Sequence, residues 1–358
     1  MQESPNVPTT ITTYTDLESY FSLTEEEQAF DTTIASSLPM RIPSYFLNLI
    51  DPEDPKDPLR IQVVPSSLEQ KSDFQAYIDP LNEVSYSVHD RLIHRYESRA
   101  AFLTTDICPM YCRHCFRRRF TGTFQGPANK EQIERSAAYV ADHPEIKEIL
   151  FTGGDVLTLS DSQLASMIET FRNKRADIII RICTRMPASY PMRITSELIT
   201  MLRQFDTAPF FLMTQFNHPR ELTTEAVAAT KLFIEAGIPA MNQTVLLKGV
   251  NDSVDVLQEL CNALLFARIK PYYLFQGDLV VGTSHFRVPL EKGLALEKEL
   301  RKRVSGLAMP TYAIDLPDGG GKVPLTHGYL REQSGCGVWH FTTVDGETRT
   351  YPDPDVTE

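Results

Sequence analysis

From about residue 100 onward the chain alternates short apolar runs with longer stretches in which apolar positions recur every three or four residues. The runs AAFLTT (100–105), EILFTG (148–153), DIIIRICT (177–184), PFFLMT (209–214), PAMNQTVLL (239–247) and KPYYLFQ (270–276) read as buried strands. Between them KEQIERSAAYVADH, SDSQLASMIETFRN, SELITMLRQF, TTEAVAATKLFIEAG, SVDVLQELCNALLFARI and LEKGLALEKELRKRV read as helices. Caps are predicted at Ser160 or Asp161, at Thr223 and at Asp252, and the fourth helix is predicted to stop at Gly237. Strands alternating with helices imply right-handed βαβ units and a parallel sheet. Six units are too few for a closed eightfold barrel, so the fold class is α/β, a partial (β/α)6 TIM-like barrel. A further short strand, TYAID (311–315), follows the last helix.

The barrel is predicted to span residues 93–308. Residues 1–92 form a helical flank or cap, with patches around ESYFSLTEEEQAFDTTIASS and IPSYFLNLI and a Pro-Asp-rich stretch, DPEDPKDPLR, that reads as a surface connection. Residues 309–358 read as a small extension with a hairpin around Asp345-Gly346.

Composition narrows the function by exclusion. The 358 residues are 42% hydrophobic and 23% charged, ordinary for a globular chain, and the net charge of −12 argues against a general nucleic-acid or anionic-membrane binder. Small molecules are the expected partners. No apolar stretch approaches the ~18 residues of a membrane span. The start MQESPNVPTTITTYTD has neither a basic leader nor an apolar signal region, so a cytoplasmic location is expected. Six cysteines, three of them crowded together, do not suggest a disulfide framework. Cys183, ending an apolar run, and Cys261, within a helical pattern, are expected to be small buried residues; Cys336, in SGCGVW, has no assignment.

Ligand sites in parallel sheets collect where the strands end. There the chain places CPMYCRHCFRRRF after the first strand, TGGD after the second, TRMP after the third, TQFNHP after the fourth and QGDL after the sixth. Cys108, Cys112 and Cys115 are spaced Cys-x-x-x-Cys-x-x-Cys, with no fourth cysteine within sixty residues. Three thiolates on a four-iron cluster leave one iron open to a ligand. A structural zinc site closes at four protein ligands, and the second knuckle it usually needs is missing; His114, beside Cys115, would bind next to its own neighbour. In TGGD the glycines allow close backbone approach and Asp155 matches an ammonium, although GGD alone is more often a turn. Lys322, in DLPDGGGKVP, can form a Schiff base with pyridoxal phosphate if its pKa is lowered and its stem can swing, although GGGK alone reads as a flexible surface loop.

The ordered series HRYESR, CPMYCRHCFRRRF, FTGGD, FNHP, LLKGVND, PYYLFQGDL, HFRVP and DLPDGGGK resembles the radical S-adenosylmethionine enzymes and, within them, the lysine 2,3-aminomutase family. The resemblance runs from IDPEDPKDPLR to the terminal hairpin. It implies a barrel of the radical S-adenosylmethionine type and a [4Fe-4S] cluster on Cys108, Cys112 and Cys115, whose open iron chelates the amino and carboxylate groups of S-adenosylmethionine. Gly153, Gly154 and Asp155 are implied to face its methionyl ammonium. Lys322 is implied to hold pyridoxal 5′-phosphate as a Schiff base, with Arg95, Arg99 and Arg185 on the phosphate and Gln215 and Gln243 beside the cofactors. Arg117 is implied to take the substrate carboxylate, and Asp278 and Asp315 a distal cation. The ordinary alternatives are a solvated basic face for Arg113, Arg117, Arg118 and Arg119, and turn formation for each aspartate.

The implied reaction is an isomerisation. One electron from a flavodoxin- or ferredoxin-type reductant cleaves the sulfonium, the 5′-deoxyadenosyl radical removes a β-hydrogen, the α-nitrogen migrates to the β-carbon on pyridoxal phosphate, and the hydrogen returns. Two carboxylates facing the side chain imply a basic amino acid, lysine first and arginine second, because adding a glutamate carboxylate would be prohibitive. Two departures bear on the side chain: Asp318 interrupts the family's glycine run and adds a third acid near the pocket, and Gln215 stands where a histidine is usual. Ser253 occupies a position where longer members carry a zinc cysteine, so any homodimer is expected to form without zinc bridging. Two rivals are a lysyl-residue mutase acting on a translation factor, whose relatives tend to lose one of the two aspartates, and an iron-sulfur electron-transfer or sensor protein, which needs neither GGD nor Lys322.

Overall fold

Side-chain alternation along one ten-stranded sheet organises the computed structural model, which describes residues 10–33, 38–71, 76–326, 328–334 and 338–352. Cys336 lies outside the described residues. The chain opens with a ribbon of β1 (Thr10–Ile11) and β2 (Ile42–Pro43), accompanied by the short helices α1 (Tyr14–Leu17), α2 (Glu25–Gln28), α3 (Ser44–Leu47) and α4 (Pro58–Val63). β3 (Ser87–His89) and β4 (Leu92–Tyr96) then join the main sheet antiparallel. β5 (Arg99–Thr105), β6 (Glu148–Gly153), β7 (Ile179–Cys183), β8 (Phe210–Thr214), β9 (Ala240–Leu246), β10 (Ile269–Gln276) and β11 (Thr311–Leu316) follow in parallel, and β12 (Gly321–Pro324) returns antiparallel on β11. The edge strands β3 and β12 do not pair with each other, so the barrel is partial, as the six-unit period predicts. A separate sheet of β13 (Leu330–Ser334), β14 (Val338–Thr342) and β15 (Thr348–Pro352) contains the predicted hairpin, with Gly346 left-handed at its turn.

Helices α5 (Lys130–Asp142), α6 (Asp161–Lys174), α7 (Met186–Ser189), α8 (Ser196–Leu202), α9 (Thr224–Glu235), α10 (Val254–Phe266) and α11 (Leu290–Arg303) lie between the strands in sequence. Ser160 and Thr223 cap α6 and α9 as predicted, and Gly237 turns left-handed just past α9. The cap of α10 is Ser253 rather than Asp252: its side chain accepts from Val256 N, while Asp252 accepts from Gly249 N and Lys292 Nζ. An aspartate one residue too early cannot reach the N3 amide, and the hydroxyl of Ser253 does. The Pro-Asp stretch is a surface connection only as far as Lys56, because the fully buried Asp57 caps α4 and sends Arg60 and Gln62 inward.

Period-2 alternation gives the sheet two faces. On β6 and β7, Ile149, Phe151, Ile180 and Ile182 are fully buried in the main hydrophobic core. Their neighbours Leu150, Thr152, Arg181 and Cys183 line the interior cavity instead. A second core in the flank gathers Leu17, Phe46, Leu59 and Val63 around Met110 of the cysteine loop. Among the described residues no helix is long and apolar enough to cross a membrane.

α11 packs on β11 through Gly293, where an added Cβ would fall 1.9 Å from the Tyr312 hydroxyl, itself bonded to Gln276 at 2.5 Å. Alanine gains about 1 kcal/mol of helix propensity. Overpacking costs about 1–3 kcal/mol, and a displaced buried hydroxyl costs a similar amount. Gly293→Ala is therefore expected to lower stability by about 2 kcal/mol in denaturant unfolding, with partial recovery when Tyr312→Phe is added.

Candidate active site

The loop after β5 is fastened from outside the barrel before it presents its thiols inside. Arg113, fully buried, donates Nε and Nη2 to Glu69 at 2.7 Å each and reaches the carbonyls of Leu38 and Pro39. Arg118 joins the same Glu69 and the Gly282 carbonyl. Arg117 and Arg119 share Glu83. The four arginines therefore do not form a solvated face: each is buried or half-buried on a carboxylate from the flank. Burial alone would raise Glu69 and Glu83, but their arginines outweigh it and hold both carboxyls below the usual range.

Inside, Cys108, Cys112 and Cys115 converge on one cavity of about 430 Å³. Burial first, then Asp155 and the other two sulfurs, pushes Cys108 well above the usual thiol range, and burial and Cys112 raise Cys115. Such thiols lose their protons to solvent when a cation binds and neutralises three neighbouring sulfurs. Among the described residues no three His, Cys, Asp or Glu groups close around a single point, as one zinc ion would require. Three thiols lining one cavity suit thiophilic iron, as their spacing predicts.

The loop after β6 lies against this one. A Cβ on Gly154 would fall 2.4 Å from the Ile107 carbonyl, and one on Gly153, left-handed at φ 109°, would fall 2.6 Å from that of Thr105. Gly154 N and Asp155 N donate to those two carbonyls. Asp155 lines the cavity, but its oxygens already accept from Thr184 Oγ1, Leu157 N and Arg185 N, so its visible work is to bind the loop after β6 to the loop after β7. Burial nevertheless raises its pKa against those bonds.

Arg185 was expected beside Arg95 and Arg99. Its guanidinium instead donates to Cys112 Sγ at 2.7 Å, to Gln62 at 2.6 Å and to Glu221 at 3.0 Å, an arrangement that belongs to the cysteines. Burial and then Arg185 keep His114 neutral, and its Nε2 meets Asn217 and Gln215. Gln215 and Gln243 both line the cavity.

Lys322 lies on the same cavity, paired and flanked by rings. Its Nζ donates to Asp315 Oδ2 at 2.5 Å and sits 3.9 Å from the Phe275 ring centroid. Desolvation lowers its pKa, with Asp315 opposing. Asp278 is pushed up to about 7, by burial and then by Asp315. Arg95 and Arg99 touch the rings of Tyr86 and Tyr96, have no anionic partner among the described residues, and Arg95 Nη2 is buried without a hydrogen bond. Arg117, held by Glu83 and Thr152, feels both Cys115 and Asp278 and so lies between the two groups. Every residue singled out from the sequence as a cofactor, metal or substrate contact lines this one cavity.

The comparisons agree with this geometry. Residues 102–261 match the Radical SAM superfamily, and residues 297–357 match the family described as Lysine-2,3-aminomutase. The chain is 42% identical over 344 residues to L-lysine 2,3-aminomutase of Clostridium subterminale, covering 96% of this chain and 82% of that one. It is 39% identical to the Bacillus subtilis L-lysine 2,3-aminomutase, over 97% of this chain and 73% of the relative. It is also 38% identical to a glutamate 2,3-aminomutase of Clostridioides difficile, over 89% and 75%.

The chain belongs to the lysine 2,3-aminomutase family of radical S-adenosylmethionine enzymes.

As a member of that family it is an isomerase that uses a [4Fe-4S] cluster, S-adenosylmethionine and pyridoxal 5′-phosphate. The three thiols, the unpartnered arginines and the desolvated lysine suit those groups chemically. Four residues of this aminomutase site were missed in the sequence. Arg181 and Cys183 carried a signal, since they alternate with isoleucines in DIIIRICT and so face inward; Cys183 lines the cavity rather than being core filler. Glu83 and Gln62 carried none, because they reach the site from the flank. Asp318 is exposed and left-handed at φ 54°, so it fills a turn position that favours glycine and does not line the cavity as a third acid.

Two outcomes are expected. Gly154→Ala should fold yet bind markedly less iron and acid-labile sulfide on anaerobic reconstitution, because the new Cβ pushes the cysteine loop away. Asp278, whose folded pKa is raised to about 7, favours folding while protonated, and that contribution is lost as pH rises from about 4 through 7. Asp278→Asn should thus unfold at a higher temperature than the parent at pH 8, and the two should converge at pH 4.

Proposed function

We propose that this chain moves the α-amino group of a basic L-amino acid, lysine first and arginine second, to the β-carbon. Family membership alone does not choose the side chain, because a glutamate 2,3-aminomutase is almost as similar as the lysine enzymes. The observation that carries the choice is the pair Asp278 and Asp315 in a buried cavity that leaves the Asp278 carboxyl without a cation of its own. A glutamate side chain there would add a negative charge where Asp278 already resists losing its proton.

The chain's residues divide the work by charge. Arg117, steadied by Glu83 and Thr152, takes the substrate carboxylate, and the aspartates take the distal cation. Arg95 and Arg99 hold the phosphate, because two guanidinium groups with no anion of their own suit phosphate oxygens. Arg181 lies with Arg99 near Tyr273 but is itself ion-paired with Glu148, so neither it nor Arg185, whose donors serve Cys112, Gln62 and Glu221, offers a third guanidinium without an acid beside it. Cys108, Cys112 and Cys115 hold the cluster, and the Gly153-Gly154 turn, Asp155 and Gln243 face S-adenosylmethionine. When bound, these cofactors supply the radical chemistry. Leu150, Val245, Phe275 and the strands around them keep water from it. The electron is supplied by a flavodoxin- or ferredoxin-type reductant, and the five described cysteines, all free, suit a reducing compartment such as the cytoplasm. A homodimer, if one forms, needs no zinc bridge at the position of Ser253, which caps α10.

Anaerobically reconstituted protein with dithionite, S-adenosylmethionine and pyridoxal 5′-phosphate should convert L-lysine to its β-amino isomer in preference to L-arginine, L-ornithine and L-glutamate. No β-amino acid from any of them would sink the proposal. A cation is bound best by ionised Asp278, so the KM for lysine should fall as pH rises through about 7 in the parent and stay flat in Asp278→Asn. Arg95→Gln and Arg99→Gln should each weaken pyridoxal 5′-phosphate binding roughly tenfold to a hundredfold, measured by equilibrium dialysis.

A further inference from the structure

One stretch of the flank, residues 77–83, touches both ends of the substrate site. At its start the Tyr77 backbone bridges Val280, with Tyr77 N donating to the Leu279 carbonyl at 2.7 Å and Val281 N to the Tyr77 carbonyl at 3.0 Å. These residues follow Asp278 directly on the loop after β10. At its end Glu83 accepts from Arg117 Nε at 3.1 Å and from Nη2 at 2.6 Å, while Arg117 Nη1 donates to Thr152 Oγ1 at 3.2 Å. Among the described residues these bonds leave one N–H on Nη1 and one on Nη2, a fork that suits a carboxylate. Leu81 and Glu83 line the cavity between the two ends.

The stretch is stiff. Pro80 fixes its own φ, Asn82 turns left-handed at φ 52°, and Asn82 N closes back on the Asp79 carbonyl at 3.1 Å. The Asp79 carboxylate accepts from Val84 N at 2.9 Å and pairs with Arg119 at 3.3 Å, and Arg119 also holds Glu83 at 3.0 Å. Asp79 and Glu83 thus face Arg117 and Arg119, and the charges of the stretch and the cysteine loop cancel. Arg118 fastens the far side of the loop after β10 through the Gly282 carbonyl at 2.9 Å.

We propose that residues 77–83 gauge the length of the substrate: they hold the Arg117 guanidinium at a fixed distance from the loop that carries Asp278, so that a side chain of lysine's length bridges the two ends and a shorter one does not. The proposal rests on the reading of Arg117 as the carboxylate site and of Asp278 with Asp315 as the distal cation site, and it names what makes that pair of sites selective. The field at Asp278 comes from Asp315 first, then from Lys322, Glu83 and Arg117, so the carboxylate end lies within electrostatic reach of the distal end. A missing methylene costs a substrate only when both of its anchors stay in place; an anchor that can follow the shorter chain gives the discrimination back. Glu83 reaches the substrate carboxylate only through Arg117, and Tyr77 reaches the distal cation only through the loop of Asp278, so both are positioning residues.

The test uses the full-length, anaerobically reconstituted holoenzyme and reads kcat/KM for L-lysine and L-ornithine on one preparation, because their ratio does not depend on the fraction of active protein. The parent should favour lysine by about tenfold or more, ornithine being one methylene short. Glu83→Gln leaves Arg117 free to follow the shorter substrate, and Tyr77→Pro removes the N–H that binds the Leu279 carbonyl. Each should lower the ratio about fivefold or more, chiefly through a lower KM for ornithine. A merely structural loss lowers both substrates alike and leaves the ratio where it was. A ratio within about twofold of the parent's, in either variant that circular dichroism shows to be folded, would overturn the gauge while leaving the aminomutase reading intact, and so would a parent that does not discriminate. A parent that isomerises neither amino acid would overturn both.

Discussion

A charged group carried into the barrel has to bring its partner along, and the structure follows from how each one does so. Water does not reach Arg113, Arg117 or Arg185 well enough to solvate them, so Glu69, Glu83 and Glu221 are buried with them. Two of those acids come from the flank, which makes the flank part of the site rather than a cover for it. The cysteine loop is held from behind by ion pairs, and the thiols are left facing inward. The charges that break the pattern are informative for the same reason: among the described residues Arg95, Arg99 and Asp278 lie in the cavity with no ion-pair partner, and such groups can take an anion and a cation from a ligand.

Close backbone approach is the second constraint. The loops after β5 and β6 touch through Gly153 and Gly154, where any side chain would run into a carbonyl of the other loop. That contact, together with Asp155 reaching the loop after β7, makes three consecutive strand ends into one rigid rim. Gln62 and Glu221 continue the rim toward Arg185 and Cys112. A donor to a sulfur, such as that from Arg185 to Cys112, is of the kind that tunes a bound metal centre from outside its coordination sphere.

Where the sequence reading failed, it failed at residues whose role depends on distant neighbours. Arg118 and Arg119 read equally well as a solvated face, because their partners Glu69 and Glu83 lie more than thirty residues upstream. Asp318 looked like a third pocket acid because it is adjacent in sequence to pocket residues, but the left-handed turn points it to solvent. Cys183 and Arg181 are different: the alternation that marks their neighbours as core marks them as interior, and that signal was present in DIIIRICT.

The sequence by itself determined the strand and helix order, the openness of the barrel, the cysteine, glycine and lysine motifs and their gathering at the strand ends, because those follow from local periodicity and from a rule about parallel sheets. Only the tertiary structure decided that Arg95 and Arg99 have no acid beside them among the described residues, that Arg185 is committed to Glu221 and Cys112, and that Lys322 meets Asp315 across a hairpin. The reason is physical: burial and pairing of a charge are properties of the whole fold around it, and no window of neighbouring residues contains them.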